Sequence, residues 1–392
     1  MKKTIRQLSV VNKKVFMRVD FNVPLDEQRH IIDDTRIQKT LPTIRYVLEQ
    51  GGAVILASHL GRPKGKRLKE FSLQPVAERL SELLQQPVTM APDCIGEATK
   101  ELVSKMKPGD IVLLENLRFH AEEEANDPDF AKQLAALGDI GVNDAFGCCH
   151  RAHASVSGIA AFLPMVAGLL LAKEIQFLGE TVTNPEHPFA AIIGGAKISD
   201  KINVIDNLLD KVDVMIIGGG MANTFLLAQG YAVGKSLVEM DKIELAKKLL
   251  QKAKQKNVHF LLPVDVTVAS NFANDSEYVV TNLNDIPQTG MILDIGTRSQ
   301  AIFAEALKDM KTIIWNGPMG VFEMPHFALG TQAVAKAVAD ASAVSIVGGG
   351  DSLAAINQMG LADAITHIST GGGASLEYLE GKALPGIIAL QD

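Results

Sequence analysis

Cysteine is scarce in this chain of 392 residues: Cys94, Cys148 and Cys149 are the full set. Three thiols cannot build a disulfide framework, and they fit a reducing compartment. No stretch approaches the uninterrupted apolar length needed to cross a bilayer, although 47% of the residues are hydrophobic. The start, Met1-Lys2-Lys3-Thr4-Ile5-Arg6, is basic but leads into no apolar segment, so no secretion signal is expected and the address is cytoplasmic. A basic excess is missing as well: the formal net charge is −7, which argues against nucleic acid as a partner. Short-period repeats and low-complexity segments are absent. So are complete nucleotide fingerprints. Gly234-Lys235-Ser236 ends like a P-loop, but Gln229 stands where the first glycine is required. Gly218, Gly220 and Asn223 miss the dinucleotide fingerprint at its last position, which weakens a nicotinamide-dependent oxidoreductase.

What is present divides between the two halves. The length suggests two domains of ordinary size. Through residue 170 there are 22 basic and 21 acidic residues, a net of +1, and the remainder has 16 and 24, a net of −8. The first half has no basic coat, yet it carries Arg18, Arg36, Arg62, Arg118 and Arg151 near the ends of apolar runs. In the second half the corresponding places hold glycines: Gly194-Gly195-Ala196-Lys197, Gly218-Gly219-Gly220, Gly317-Pro318-Met319-Gly320, Gly348-Gly349-Gly350-Asp351 and Gly371-Gly372-Gly373. Arginine grips phosphate through a planar fork of donors, and glycine lets backbone amides approach it closely. Two different phosphorylated ligands are therefore expected, with phosphate moved between them.

Short runs of Val, Ile and Leu alternate with longer amphipathic stretches, the pattern of a parallel α/β sheet. Strands are expected at 15–19, 53–57, 111–114, 140–142, 189–193, 214–217, 313–315 and 344–347, with helices such as 35–49, 73–84, 241–254 and 331–340. One helix over 165–179 and a proline-marked linker, Asn184-Pro185-Glu186-His187-Pro188, place the boundary. The expected domains are 1–170 and 189–375, joined by a linking helix and hinge at 171–188; whether the residues after 375 return to the first domain is left open. Asp20, Asn22, His59, Arg62, Arg118, Asp144, Lys197, Asn316 and Asp351 all fall just past expected strands, where open α/β sheets bind ligands. Cys148-Cys149-His150-Arg151-Ala152-His153 imitates a zinc site, but adjacent cysteines do not suit zinc spacing; a buried loop is the preferred reading. Glu122-Glu123-Glu124 reads as a solvated face near a helix start.

The longer motifs resemble those of phosphoglycerate kinases. They are Arg18-Val19-Asp20-Phe21-Asn22-Val23-Pro24, Ser58-His59-Leu60-Gly61-Arg62-Pro63, Leu114-Glu115-Asn116-Leu117-Arg118-Phe119 and Asn143-Asp144-Ala145-Phe146-Gly147 in the first half. In the second half they are 194–201, Trp315-Asn316-Gly317-Pro318-Met319-Gly320-Val321-Phe322-Glu323, 348–352 and 370–377. Departures fall at Cys148, Cys149 and Leu353, where the family usually has smaller residues, and touch no residue assigned to chemistry. The resemblance implies two Rossmann-like three-layer α/β domains. It also implies reversible transfer of the acyl phosphate of 1,3-bisphosphoglycerate to magnesium-bound ADP, giving 3-phosphoglycerate and ATP, after domain closure by a cytoplasmic monomer. By motif match, Asp20, Asn22, Arg36, His59, Arg62, Arg118 and Arg151 would hold the acid. Gly195, Ala196, Lys201, Gly219, Asn316, Pro318, Gly320, Glu323, Gly349, Gly350, Asp351 and Ser352 would hold the nucleotide, with Asp351 on the metal.

Phosphoryl transfer needs positioning and charge stabilisation more than proton transfer, because a carboxylate acceptor has no proton to lose. The missing His-Asp pair is thereby accounted for. Arg36, on the loop before a helix, and Lys197, after the glycine turn, are the expected catalytic cations; Gly350 and Gly373 would offer backbone amides. Lys197 and Lys201 share a helical face if a helix starts near Ala196, and their repulsion would be relieved by nucleotide phosphates. Asp351 has an alternative as an N-cap for a helix starting near Ser352. An inert ligand-binding relative is the reading from another class, but it would be expected to lack Arg36, Lys197 or Asp351, and all three are present.

Overall fold

Apolar runs without polar alternation form stable strands only where both faces of a sheet are covered. In the computed structural model of the chain, which describes residues 2–392, this is their situation. The chain divides into two compact units, Met1–Gln176 with Ala383–Asp392, and Phe177–Lys382.

The first unit contains β1 (Lys14–Arg18), β2 (Ala53–Ala57), β3 (Thr89–Met90), β4 (Ile111–Leu113), β5 (Ile140–Asn143) and β6 (Met165–Ala167). They form one parallel sheet in the order β3-β4-β2-β1-β5-β6. Every residue of β2 is buried. The helix Thr35–Glu49 turns Ile37, Leu41 and Ile44 inward, three- and four-residue steps that keep them on one face against the core shared with Val15, Val54 and Leu56.

The second unit contains β7 (Phe189–Ile193), β8 (Val214–Ile217), β9 (His259–Leu261), β10 (Asp265–Ala269), β11 (Tyr278–Asn282), β12 (Met291–Ile295), β13 (Thr312–Asn316), β14 (Val344–Gly348) and β15 (His367–Ile368). Six make a parallel sheet, β15-β14-β13-β7-β8-β9, around a core holding the single tryptophan, Trp315, with Ile192, Phe303 and Val347. The other three form an antiparallel sheet, β11-β10-β12.

All eight expected strands are present, as are the four expected helices, within a few residues at their ends. The helix expected over 165–179 is corrected. Met165–Ala167 is an edge strand paired with β5, because Pro164 and Gly168 interrupt helical continuation on either side of it. The helix itself is Leu169–Glu174, continued by π-helical turns at Ile175–Thr181. The first unit runs to Gln176, and the chain end returns to it: Lys3 N–H donates to the Gln391 carbonyl at 2.8 Å and Gly386 N–H to that of Cys149 at 2.9 Å.

In each parallel sheet the chain order reverses beside the first strand, between β1 and β5 in one unit and β7 and β13 in the other. Ligand crevices form outside the carboxyl ends of strands at such points. Asp144, just past β5, serves the fold there. It is fully buried and accepts from the amides of Leu170 and Leu171 at 2.9 and 3.0 Å, in the first turn of the helix Leu169–Glu174. Burial pushes its carboxyl up to about 6 against the pull of Thr43 and those amides. Asp144→Ala is expected to lower stability by about 1–2 kcal/mol through lost capping, with Asp144→Asn closer to the parent. Urea unfolding curves check this; an unchanged midpoint in Asp144→Ala would remove the residue from its structural role.

Candidate functional site

Strand β1 ends in Arg18, a residue only 1% exposed. A buried cation must give its protons to acceptors, and Arg18 does so: Nε donates to Ser155 Oγ at 2.8 Å and Nη1 to the Val19 carbonyl. Its Nη2 lies 3.3 Å from His59 Nδ1 and 3.6 Å from Cys148 Sγ. The counter-charge is Glu123, fully buried, accepting from Ser155 N at 2.9 Å and Ser155 Oγ at 2.5 Å. The reading of Glu122-Glu123-Glu124 as a solvated face is thus corrected. Glu122 and Glu124 are exposed, but Glu123 turns inward because the buried guanidinium needs an anion.

The expected acid-binding residues gather around this core. Arg36 is the second residue of the helix Thr35–Glu49 rather than part of the loop before it, and its Nη1 pairs with Asp20 Oδ2 at 2.6 Å. Asn22 Oδ1 accepts from Gly61 N at 2.8 Å, while Arg118 Nη1 donates to the Gly61 carbonyl at 2.8 Å and its Nε faces Glu124 at 3.3 Å. Asn116 holds that loop in place by donating to the carbonyls of Leu60 and Phe71. Burial, then Arg18, Arg118, Arg151 and Arg36, hold the His59 imidazole well below its ordinary value, so it is neutral. Four guanidiniums therefore converge on an uncharged ring. Arg62 is exposed, one residue past Gly61. Sequence reasoning left out Arg18 as the organiser of this network. It also weighed His153 only as part of a zinc-like run; burial and then Arg118, Arg18 and Arg151 push its imidazole down to about 4.

In the second unit the loops after β7, β8, β13 and β14 supply the walls. A cleft of about 520 Å³ is lined by Gly195, Ala196, Gly219, Pro318, Gly320, Glu323 and Asp351 among the expected residues. Gly219 has φ +69° and faces the Gly195 carbonyl so closely that no side chain fits. Gly350 differs, since a Cβ there would meet nothing within 4 Å. Lys201 is withdrawn from the surface. Its Nζ donates to the carbonyls of Gly194 at 2.7 Å and Asn316 at 3.1 Å, joining the turns after β7 and β13. Burial pushes this amine down to about 8, opposed by Asp351 and then Asp200.

The shared helical face of Lys197 and Lys201 is corrected. The helix starts at Ile202, Lys197 lies exposed in irregular backbone before it, and Lys201 is its N-cap, turned inward by two carbonyls. Asp351 is likewise not the N-cap of a helix starting near Ser352. The helix Gly350–Gln358 begins earlier, and Gly349 is the cap. Asp351 instead occupies the first turn, exposed, where a negative charge suits the dipole. Ser352 is fully buried, and its hydroxyl accepts from Gly317 N at 2.7 Å. Asn316 is 2% exposed, and its Nδ2 has no hydrogen-bond partner beneath Gly348 and Gly349. Gly373 opens the helix Gly373–Leu379 after Gly372, which has φ +51°. The cleft's apolar wall, including Leu237, Phe272, Met291 and Leu293, was missed in the sequence, as was Lys235, weighed there only as part of a P-loop.

A cluster of guanidiniums at one sheet's carboxyl edge and a backbone-walled cleft at the other's define a class, the α/β enzymes that handle phosphate. Residues 5–382 match the family model for phosphoglycerate kinase. The phosphoglycerate kinase of Moorella thermoacetica is 58% identical over 391 residues, covering 100% of this chain and 99% of the relative. That of Pelotomaculum thermopropionicum is 57% identical over the same length, with the same coverage. Among solved structures, phosphoglycerate kinase from Coxiella burnetii superposes with a TM-score of 0.92 at 44% identity, covering 99% of this chain and 98% of that one. The chain belongs to the phosphoglycerate kinase family and is an enzyme of that activity.

The neutrality of His59 has a consequence for stability. In the unfolded chain an imidazole takes up a proton near pH 6.5, which the folded site refuses until well below that. The unfolded state binds more protons in that interval, so His59 contributes a loss of stability as pH falls below about 6.5. His59→Asn is expected to flatten the change in urea midpoint between pH 7 and pH 5. Equal slopes in parent and variant would show that the folded site protonates His59 freely.

Proposed function

We propose that the chain transfers the acyl phosphate of 1,3-bisphosphoglycerate reversibly to ADP, with the acid held by Asp20, Asn22, Arg36, His59, Arg62, Arg118 and Arg151 of the first unit. The nucleotide is held in the cleft of the second unit by Gly195, Ala196, Lys201, Gly219, Asn316, Pro318, Gly320, Glu323 and 349–352. The observation that carries this reading is the convergence of Arg18, Arg36, Arg118 and Arg151 on a neutral imidazole, an excess of positive charge that a small polyanion balances. An acid on one unit and a nucleotide on the other react only if closure brings them within bonding distance and excludes water from the acyl phosphate. The working form is a cytoplasmic monomer. Three free, buried thiols suit a reducing compartment, and among the described residues no helix is long and apolar enough to cross a membrane.

Charge on the phosphoryl group spreads over three equatorial oxygens in flight, and cations and amides rather than a base must meet it. Arg36 offers one guanidinium from the acid side, and Lys197, exposed and free of the carbonyls that hold Lys201, offers an ammonium from the nucleotide side. Gly350 adds an amide at a place with room for a ligand, and Gly373 another. Magnesium fits the donor set: Asp351 presents one exposed carboxylate on the cleft wall, and this ion is commonly held by one or two carboxylates together with substrate phosphates. It neutralises phosphate charge there.

A coupled assay with 3-phosphoglycerate and ATP tests the activity. In it, Arg36→Ala is expected to cut turnover by about 10² to 10³ while weakening 3-phosphoglycerate binding much less, the pattern of a contact made in the transition state. Near-normal turnover with a raised Michaelis constant would make Arg36 a substrate anchor only.

Asp351→Asn separates metal binding from helix stabilisation. It removes a dipole interaction of about 0.3–1 kcal/mol, so thermal unfolding without ligands is expected to change little, while the magnesium needed for half-maximal rate rises. Lys197→Ala is expected to lower turnover at every magnesium concentration. Unaltered magnesium dependence in Asp351→Asn would return Asp351 to the helix terminus alone.

A further inference from the structure

Among residues assigned to neither site, the sequence Asp93-Cys94 and the residue His120 meet in the first unit. One carboxylate oxygen, one thiol sulfur and one imidazole nitrogen there lie within 4.8 Å of one another. His120 Nε2 is 2.8 Å from Asp93 Oδ1, and Arg67 Nη1 is 3.4 Å from Asp93 Oδ2. The His120 ring packs against Phe130 at 5.4 Å between centroids, which limits how far it can swing. Cys94 is fully buried, whereas Asp93 and His120 are 30% and 24% exposed, so solvent reaches the cluster from the carboxylate and imidazole side.

We propose that Asp93, Cys94 and His120 form a site for a borderline-soft divalent cation of the zinc type, with water as the fourth ligand. Oxygen, nitrogen and sulfur in one cluster match the ligand preference of zinc and its cobalt substitute, and they do not suit magnesium, which takes oxygen ligands. The ion replaces the proton held between Nε2 and Oδ1. It also displaces the thiol proton to solvent, since a coordinating thiol is deprotonated. Burial and then the neighbouring Asp93 charge keep that thiol protonated in the absence of a cation. The other mixed cluster among the described residues, Asp20, His59 and Cys148, is set aside because the buried Arg18 guanidinium stands 3.3 Å from His59 Nδ1 and 3.6 Å from Cys148 Sγ, where no solvent screens its repulsion of a cation, whereas Arg67 beside Asp93 is 57% exposed and faces the other carboxylate oxygen.

Titration of the chelator-treated full chain with cobalt(II) tests the site. The expected result is one equivalent bound with a thiolate-to-cobalt charge-transfer band, and a higher unfolding temperature with zinc. Cys94→Ala is expected to abolish the band. His120→Gln, at a partly exposed position that folding tolerates, is expected to weaken cobalt binding at least about tenfold, since even outer-sphere changes at metal sites cost 10- to 100-fold. Neither variant touches the residues assigned to phosphoryl transfer, so activity without added cobalt or zinc should match the parent. The proposal is overturned if the parent gives no band, if the band survives Cys94→Ala, or if His120→Gln binds cobalt as tightly as the parent.

Discussion

A cation turned inward at the carboxyl edge of each parallel sheet is the constraint on which both candidate sites depend. Arg18 ends the central strand of one unit, fully buried, and Lys201, half-buried, caps the helix after the first strand of the other with its ammonium turned onto two carbonyls. A buried ion is tolerable only when its protons find acceptors, so each cation draws neighbouring loops toward itself. Arg18 gathers Ser155, the Val19 carbonyl, His59 and, through Ser155, the buried Glu123. Lys201 ties the Gly194 and Asn316 carbonyls together across two strand ends. The loops that face ligands are thus set by interactions lying beneath them.

This division explains which parts were legible in the sequence. Strands such as Ala53–Ala57 and Phe189–Ile193 are uninterrupted apolar runs, and burial on both faces is what such runs demand. Edge elements are harder to read. Thr89–Met90 and His367–Ile368 are two residues long, and Met165–Ala167 borders a run of leucines that continues as a helix, so periodicity could not separate them. The antiparallel sheet escaped for another reason: Tyr278–Asn282 is mostly exposed, and Thr267 breaks the apolar run of Asp265–Ala269.

At the sites, position past a strand marked Asp20, Asn22, His59 and Arg118, the family resemblance added Arg36 and Arg151, and the glycine clusters marked most of the cleft's glycines. Side-chain direction was not available from spacing. Lys197 and Lys201 are four apart, yet one is exposed and the other is half-buried, because the intervening chain is irregular rather than helical. Glu123 sits between two exposed glutamates and still turns inward, since its partner Arg18 lies more than a hundred positions away in the chain. The apolar wall formed by Leu237, Phe272, Met291 and Leu293 draws on three separated segments, none distinctive alone.

The electrostatics of the first unit set its stability against its chemistry. Four guanidiniums around His59 repel one another, and the surrounding acids offset this unevenly: Glu123 lies under Arg18, Asp20 pairs with Arg36, and Glu124 reaches Arg118 from an exposed position. Charge left unbalanced destabilises the folded state, yet it also concentrates attraction on any anion small enough to enter. Hydrophobic side chains would pack such a crevice more stably and recognise nothing. A ligand that binds the folded chain and not the unfolded one returns that stability by mass action. Burial, reinforced by the same repulsion, keeps His59 neutral, so its ring can offer one donor and one acceptor beside the cations without adding to their charge. Lys201 shows the complementary solution. Two backbone carbonyls hold its charge, leaving the exposed Lys197 as the lysine on that loop able to follow a moving anion.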